Sequence, residues 1–183
     1  MKAQSIKTKE KEAFNVLKEK AGYKNPMQAP RLRKVVISAG VGSFKDKKKF
    51  ATVEDRLAKI TGQKAAPRAA KKSIAAYKSR QGDTVGYQTT LRGPRMYGFL
   101  DKLIAIALPR VRDFRGIPEA SVDEIGNLTI GVREHTIFPE ASDEDLRDVF
   151  GMAITVVTSA TSKDEARAFF DYLGFPFAKA TRK

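Results

Sequence analysis

An α+β fold is what the sequence predicts: a mostly antiparallel sheet with helices packed on one face and a long protruding hairpin loop. Apolar residues recur at helical spacing in four segments, at 5–21, 47–61, 94–108 and after Ser162. Short β-branched or alternating runs lie between them, so strands and helices mix along the chain. No internal repeat or low-complexity linker divides the 183 residues, and 42% apolar content suffices for one core, so a single domain over 1–183 is expected.

The first helix, 5–21, places Phe14, Leu17 and Ala21 at helical spacing, with Gly22 as its stop and a lysine comb on its other face. Lys34-Val35-Val36-Ile37-Ser38 is a β-branched run closed by Gly40-Val41-Gly42, which predicts a strand leading into a tight turn. The second helix, 47–61, aligns Phe50, Val53, Leu57 and Ile60 and stops at Gly62. Strands are expected at 72–77 and 85–91, the second alternating Val85, Tyr87, Thr89 and Leu91 with small or polar neighbours. Together they form a long antiparallel hairpin with the polar tip 78–83.

The helix at 94–108 has the broadest apolar face, from Met96, Phe99, Leu100, Leu103, Ile104 and Ala107, with Pro94 in its first turn and Pro109 at its end. A loop begins at Arg110. Leu128, Ile130 and Val132 alternate in a strand that approaches another near Ile137, and 152–158 is a further strand. Ser162 and Glu165 form a capping box for the last helix, whose Ala166, Phe169, Phe170 and Leu173 face inward. The sheet face that no helix covers is where a ligand is expected.

Charge indicates the kind of ligand. The net charge is +14 from 35 Lys and Arg against 21 Asp and Glu, and its distribution is uneven. Residues 1–100 hold 24 basic and 7 acidic side chains, whereas 101–183 hold 11 and 14. Such segregation suits a protein with one surface on nucleic acid and another on protein. Cysteine is absent, which excludes disulfides and thiolate metal sites and fits a reducing cytoplasm. No apolar stretch reaches the roughly 20 residues of a membrane span, so a soluble, cytoplasmic protein with no membrane partner is expected.

Catalytic chemistry finds no constellation of residues. His135, the sole histidine, has no cysteine with which to build a metal site, and Arg133 and Glu134 beside it read as strand residues. Asp143, Glu144, Asp145 and Asp148 follow Ser142 and read as N-terminal acids of a short helix. Gly40-Val41-Gly42 lacks the third glycine and the Lys-Ser/Thr of a phosphate loop, and no Gly-x-Ser-x-Gly elbow exists for a serine nucleophile. The expectation is no enzyme, no cofactor and no metal.

RNA binding does find residues. Between Gly62 and Arg92 stand Lys64, Arg68, Lys71, Lys72, Lys78, Arg80 and Arg92 against the single acid Asp83. Lys72 is expected to point toward a duplex groove, with Ile74 and Ala76 packing behind. Tyr77 either stacks on an unpaired base or packs within the hairpin. Lys45, Lys47, Lys48 and Lys49 contact phosphate or form a solvated face.

The residues also carry a family pattern: Met27-Gln28-Ala29-Pro30-Arg31, Gly40-Val41-Gly42, Thr61-Gly62-Gln63-Lys64, Lys71-Lys72-Ser73, Thr90-Leu91-Arg92-Gly93 and Arg95-Met96-Tyr97. It continues through Leu108-Pro109-Arg110-Val111-Arg112-Asp113-Phe114-Arg115-Gly116, Gly126-Asn127, Ile137-Phe138-Pro139-Glu140 and Phe175-Pro176-Phe177. In this order the motifs resemble bacterial ribosomal protein L-five, the 5S rRNA-binding family. The resemblance covers about 22–178, leaving the basic helix 1–21 and a basic tail 179–183 outside it. Ser38-Ala39-Gly40 stands where the family usually has Asn-Met-Gly, and Pro94 and Gly98 where it often has glutamates.

The resemblance implies a constituent of the large subunit's central protuberance, working in the cytoplasm on the ribosome. Its implied partners are 5S rRNA, 23S rRNA, peptidyl-site tRNA, the small-subunit head protein S-thirteen and neighbouring central-protuberance proteins. Carried over by position, the 5S rRNA surface comprises Lys34, Ser38, Gly40, Arg68, Lys71, Lys72, Thr90 and Arg92. The tRNA-contacting loop runs over Ser73, Tyr77, Lys78, Ser79, Arg80, Gln81 and Gly82. The inter-subunit bridge falls to Arg112, Asp113, Phe114 and Arg115 with Glu140, Asp143, Glu144 and Asp145. A non-ribosomal RNA-binding module or RNA chaperone is the alternative.

Overall fold

The computed structural model describes residues 4–44, 48–141 and 149–178. In chain order the elements are α1 (Ile6–Ala21), β1 (Leu32–Gly40), α2 (Lys48–Thr61), β2 (Ala66–Ala69), β3 (Thr84–Leu91), α3 (Gly93–Lys102), β4 (Leu128–Val132), β5 (Met152–Thr158) and α4 (Lys163–Leu173). The strands form one five-stranded antiparallel sheet in the order β2-β3-β1-β5-β4, the α+β class expected. Two compact units share the chain: Met1–Val35, Arg92–Ile130 and Thr155–Lys183 in one, Val36–Leu91 and Gly131–Ile154 in the other.

In the first unit, α1 packs on α4 and α3. Its inward residues are Ile6, Ala13 and Leu17. Phe14, expected on that stripe, is only half-buried, with the Lys18 ammonium 5.7 Å from its ring. The shift follows from geometry: Ile6, Ala13 and Leu17 recur at seven and four residues and hold one line along the helix, from which Phe14 deviates. The side chain of Ala21 lies outside the described residues.

Several polar contacts tie α1 to its neighbours. Glu10 accepts from the Leu32 amide at 2.9 Å and from the Tyr97 hydroxyl at 2.5 Å. Asp101 accepts from the Ser5 hydroxyl and the Ile6 amide, both at 2.9 Å, satisfying a free N–H of the first turn. Lys9 Nζ donates at 2.9 Å to the Leu173 carbonyl, one of the free acceptors at the end of α4. Burial of Ala166, Phe169, Phe170 and Leu173 agrees with the sequence expectation, and Phe170 meets Phe175 edge to face at 5.3 Å. Ser162 caps α4, accepting from the Glu165 amide at 3.3 Å. The Glu165 carboxylate does not close the box onto Ser162; it accepts instead from the Thr161 amide and from the Tyr23 hydroxyl.

The helix expected over 94–108 begins as α3 and changes pitch. Leu103–Ala107 is a π-helical turn, in which the Leu108 amide reaches the Leu103 carbonyl, and Leu108–Arg110 is a 3-10 turn. Pro109 thus sits inside the last turn rather than after it, since a proline near the start of a new turn loses no hydrogen bond. Ile104 is half-buried, while Leu103, Ala107 and Leu108 are fully inside.

The second unit sets α2 against β3. Val53, Leu57 and Ile60 are buried as expected, and Phe50 is half-buried. No strand forms at 72–77. The partner of β3 is β2, pairing Ala66 with Gln88, Pro67 with Tyr87 and Arg68 with Gly86. Pro67 is tolerated because β2 is an edge strand, where a missing N–H breaks no ladder on the outer side. Residues 71–78 are all exposed, so Ile74 and Ala76 have no core to pack behind Lys72.

The strand expected near Ile137 is also absent. The chain leaves β4 at Val132 and turns into a 3-10 segment, His135–Ile137, that buries the imidazole. His135 stacks on Phe150 at 4.2 Å, and its Nε2 lies 3.1 Å from Arg56 Nη1. This histidine is therefore a packing residue, and Arg133 and Glu134 follow the strand rather than belong to it.

Thr89 points inward from β3 and its hydroxyl has no hydrogen-bond partner. An orphaned buried hydroxyl costs about 1–3 kcal/mol, so Thr89→Val should raise the unfolding free energy by about 1 kcal/mol in urea titration. A lower value would show that the hydroxyl is satisfied.

Burial, and then the adjoining Glu10 carboxylate, push the Tyr97 phenol up to about 12, against about 10 for an unfolded tyrosine. The folded state holds the proton more tightly, so this stabilisation is complete below about pH 10 and is lost as pH rises toward 12. Tyr97→Phe should make the fall in melting temperature over that alkaline range shallower.

Candidate nucleic-acid interface

Alternation along the strands of the second unit separates a buried face from an open one. On β3, Tyr87, Thr89 and Leu91 are buried, whereas Gly86, Gln88 and Thr90 turn the other way. On β1, Ile37 and Ala39 are buried while Ser38 and Gly40 are exposed. Arg68 of β2 stands opposite Gly86 and is therefore on the same side. Four residues expected at the RNA surface, Ser38, Gly40, Arg68 and Thr90, thus share one open face.

Ser38, Gly40, Gly86 and Thr90 on that face are small. A Cβ on Gly86 would stand 2.9 Å from the Ala39 carbonyl oxygen, so only glycine permits this approach of β3 to β1. No aromatic ring projects from the open positions named here; the polar reach comes from hydroxyls and from Arg68. Arg68 Nε donates to Gln88 Oε1 at 2.6 Å, which fixes the guanidinium over the face with its outer N–H groups free to turn outward. Gln88 was missed by sequence reasoning: the resemblance that supplied Thr90 did not include it, although alternation along the strand puts the two residues on one face.

Lys71 and Lys72 are exposed but lie in the loop after β2, not on a strand. Lys34, half-buried on β1, and Arg92, the exposed residue that precedes α3, belong to the first unit. Lys45, Lys47 and the side chain of Lys48 lie outside the described residues; Lys49 has its ammonium 6.0 Å from the Phe44 ring.

The loop between β2 and β3 closes on itself. At its neck the Ala70 amide donates to the Asp83 carbonyl at 2.8 Å and the Gly82 amide to the Ala70 carbonyl at 3.1 Å. Further out, Ile74 and Ser79 exchange backbone bonds around a 3-10 turn, Ala75–Tyr77, with Lys78 in the left-handed region at φ 51°. The Ser73 hydroxyl accepts from the Gln81 amide and the Asp83 carboxylate from the Arg80 amide, each at 2.9 Å. Tyr77 is 78% exposed at the apex, which removes its reading as a hairpin packing residue.

The segment assigned to an inter-subunit bridge divides between the units. Arg112, Asp113 and Arg115 are exposed and Phe114 half-buried in the first, where Asp113 takes φ 53°. The turn ends at Gly116, φ 98°, where a Cβ would strike the Ala178 backbone at 2.5 Å. Glu140 is exposed in the second unit. Asp143, Glu144, Asp145 and Asp148 lie outside the described residues.

Fold, charge and open face together define the class: a structural RNA-binding protein. Comparison of the sequence with known families specifies it. The family described as "Ribosomal protein L5" matches residues 25–80, and the description of that ribosomal family's C-terminus matches 84–177. Among curated relatives, "Large ribosomal subunit protein uL5" of Caldanaerobacter subterraneus is 51% identical over 172 residues, 93% of this chain and 96% of its own. The protein of the same name from an Anaeromyxobacter species is 49% identical over 170 residues, covering 92% and 94%. That of Sulfurimonas denitrificans is 48% identical over 161 residues, covering 87% and 89%. The chain belongs to the ribosomal protein L5 family.

The internal closure of the loop makes a prediction. Ser73→Ala removes the tie to Gln81, and trypsin should then cut faster at Lys71, Lys72, Lys78 and Arg80 while the melting temperature stays unchanged. A matching fall in melting temperature would show that the loop is coupled to the core.

Proposed function

We propose that this chain is a structural constituent of the large ribosomal subunit that holds 5S rRNA on its open sheet face, anchoring it in the central protuberance. The observation that carries this reading is the open face of small residues, Ser38, Gly40, Gly86 and Thr90, with Arg68 bonded to Gln88 beside them. Small side chains let a sugar-phosphate backbone come close, hydroxyls match phosphate and 2′-OH groups, and a planar guanidinium can grip a phosphate with two parallel bonds. Without rings on which to stack bases, such a face recognises the backbone and shape of RNA in preference to its bases. Lys71 and Lys72 at the edge of β2 and Lys34 and Arg92 in the first unit add phosphate contacts.

In this reading the loop over Ser73–Gly82 meets peptidyl-site tRNA. Exposed Tyr77 offers a stacking surface, and Lys78 and Arg80 offer charge beside it. The turn Arg112–Arg115 and the acidic stretch from Glu140 bridge to S-thirteen in the small-subunit head. The remaining partners are 23S rRNA and neighbouring proteins of the protuberance, and the place of action is the cytoplasmic ribosome. The role requires no catalysis and no cofactor.

Filter binding tests the division of labour. Affinity for 5S rRNA should exceed that for an unrelated structured RNA and fall steeply with salt, the log-log slope easing by about one for each phosphate-contacting Lys or Arg removed. Replacing Lys71 and Lys72 with Ala should weaken 5S rRNA binding, whereas replacing Lys78 and Arg80 should leave it nearly intact. Equal affinity for both RNAs would overturn the specific role, and greater damage from the second pair would overturn the assignment of the loop.

A further inference from the structure

We propose that the outer flank of α1 is a second RNA-binding surface, on which Lys7, Lys11 and Lys18 take the phosphate backbone of an RNA duplex other than the RNA on the sheet face. The inference rests on the ribosomal role proposed above and adds a surface to it.

Helical geometry places the three side chains together. At 3.6 residues per turn they fall within about 40° of one another around the axis, with rises of about 6 Å and about 10 Å between successive residues. All three are exposed, and Asn15 continues the same flank. Lys9 lies elsewhere on the helix, bonded to the Leu173 carbonyl.

Among the acids whose side chains are described, those near this flank are turned away from it. Glu10 is committed to the Leu32 amide and the Tyr97 hydroxyl, and Asp101 to Ser5 and the Ile6 amide. Glu12 lies on the side of α1 that faces Tyr172 of α4. Two lysines of the second unit do pair with acids, Lys59 with Asp55 at 2.9 Å and Lys64 with Glu54 at 3.5 Å. Among the described residues, Lys7, Lys11 and Lys18 form no ion pair.

Their positions also work against the helix itself. Lys7 and Lys11 are like charges four residues apart, and Lys7 stands in a first turn that contains no acid, at the positive end of the helix dipole. A phosphate backbone relieves both repulsions at once. An apolar protein partner fits the flank less well, because half-buried Phe14 beneath Lys18 is its one large apolar side chain.

The test uses the full chain bound to 5S rRNA and a short RNA duplex of mixed sequence as probe. Against this complex, the triple variant Lys7→Gln, Lys11→Gln, Lys18→Gln should bind the duplex about tenfold more weakly, with a log-log salt slope shallower by about two to three. Its melting temperature should be unchanged or higher, which separates lost binding from lost folding. Arg68→Ala is the control for the sheet face: it should lower 5S rRNA affinity in binary titrations and, with the variant saturated by 5S rRNA, leave duplex binding by the complex intact. Duplex binding by the triple variant equal to that of the wild type would overturn the second surface. So would a loss confined to 5S rRNA, which would make α1 part of the first surface. Unaltered 5S affinity in Arg68→Ala would count against the sheet-face reading alone.

Discussion

The period-two alternation of β3 is the constraint on which the candidate interface depends. One strand must supply Tyr87, Thr89 and Leu91 to the core beneath α2 and, between them, Gly86, Gln88 and Thr90 to the open side. A slip of one residue would exchange the two sets, exposing an aromatic and a leucine and burying an amide. The register with β2, which sets Arg68 against Gly86, therefore places the guanidinium on the same side as the small residues of β3. The close approach of Gly86 to the Ala39 carbonyl binds β1 into the same arrangement.

Charge is sorted by a related economy. In the first unit the carboxylates of Glu10, Asp101 and Glu165 satisfy backbone amides and hydroxyls at the places where helices begin or strands enter. Each removes a polar group from the set that burial would penalise. Acids consumed in this way cannot neutralise the lysines of α1, so the stabilising network and the basic surface arise from the same allocation of side chains.

Helices were legible in the sequence because a stripe that recurs at 3.6 residues requires only local information. Val53, Leu57 and Ile60 on α2, and Ala166 to Leu173 on α4, are buried as their spacing predicts. Strands at 72–77 and near Ile137 were misread for a common reason. Short apolar runs resemble strands, but Ile74 has no sheet partner outside its own loop, and Ile137 follows a turn made to bury His135. Conversely, β2 hides behind Pro67, which only its edge position makes acceptable. On the open face, Ser38 and Thr90 were reached through the family resemblance, whereas the pairing of Arg68 with Gln88 depends on a cross-strand register that no local pattern encodes.

The loop of 70–83 draws its backbone bonds from within itself, the farthest joining residues only 13 apart. Closing so short a segment costs little chain entropy, and its formation does not wait for distant strands to meet. The projection is in effect a small module clipped to the sheet at Ala70 and Asp83. Its outer residues can be exchanged, lengthened or reshaped with little consequence for the core, so the chemistry presented at the apex is free to change independently of the fold that carries it.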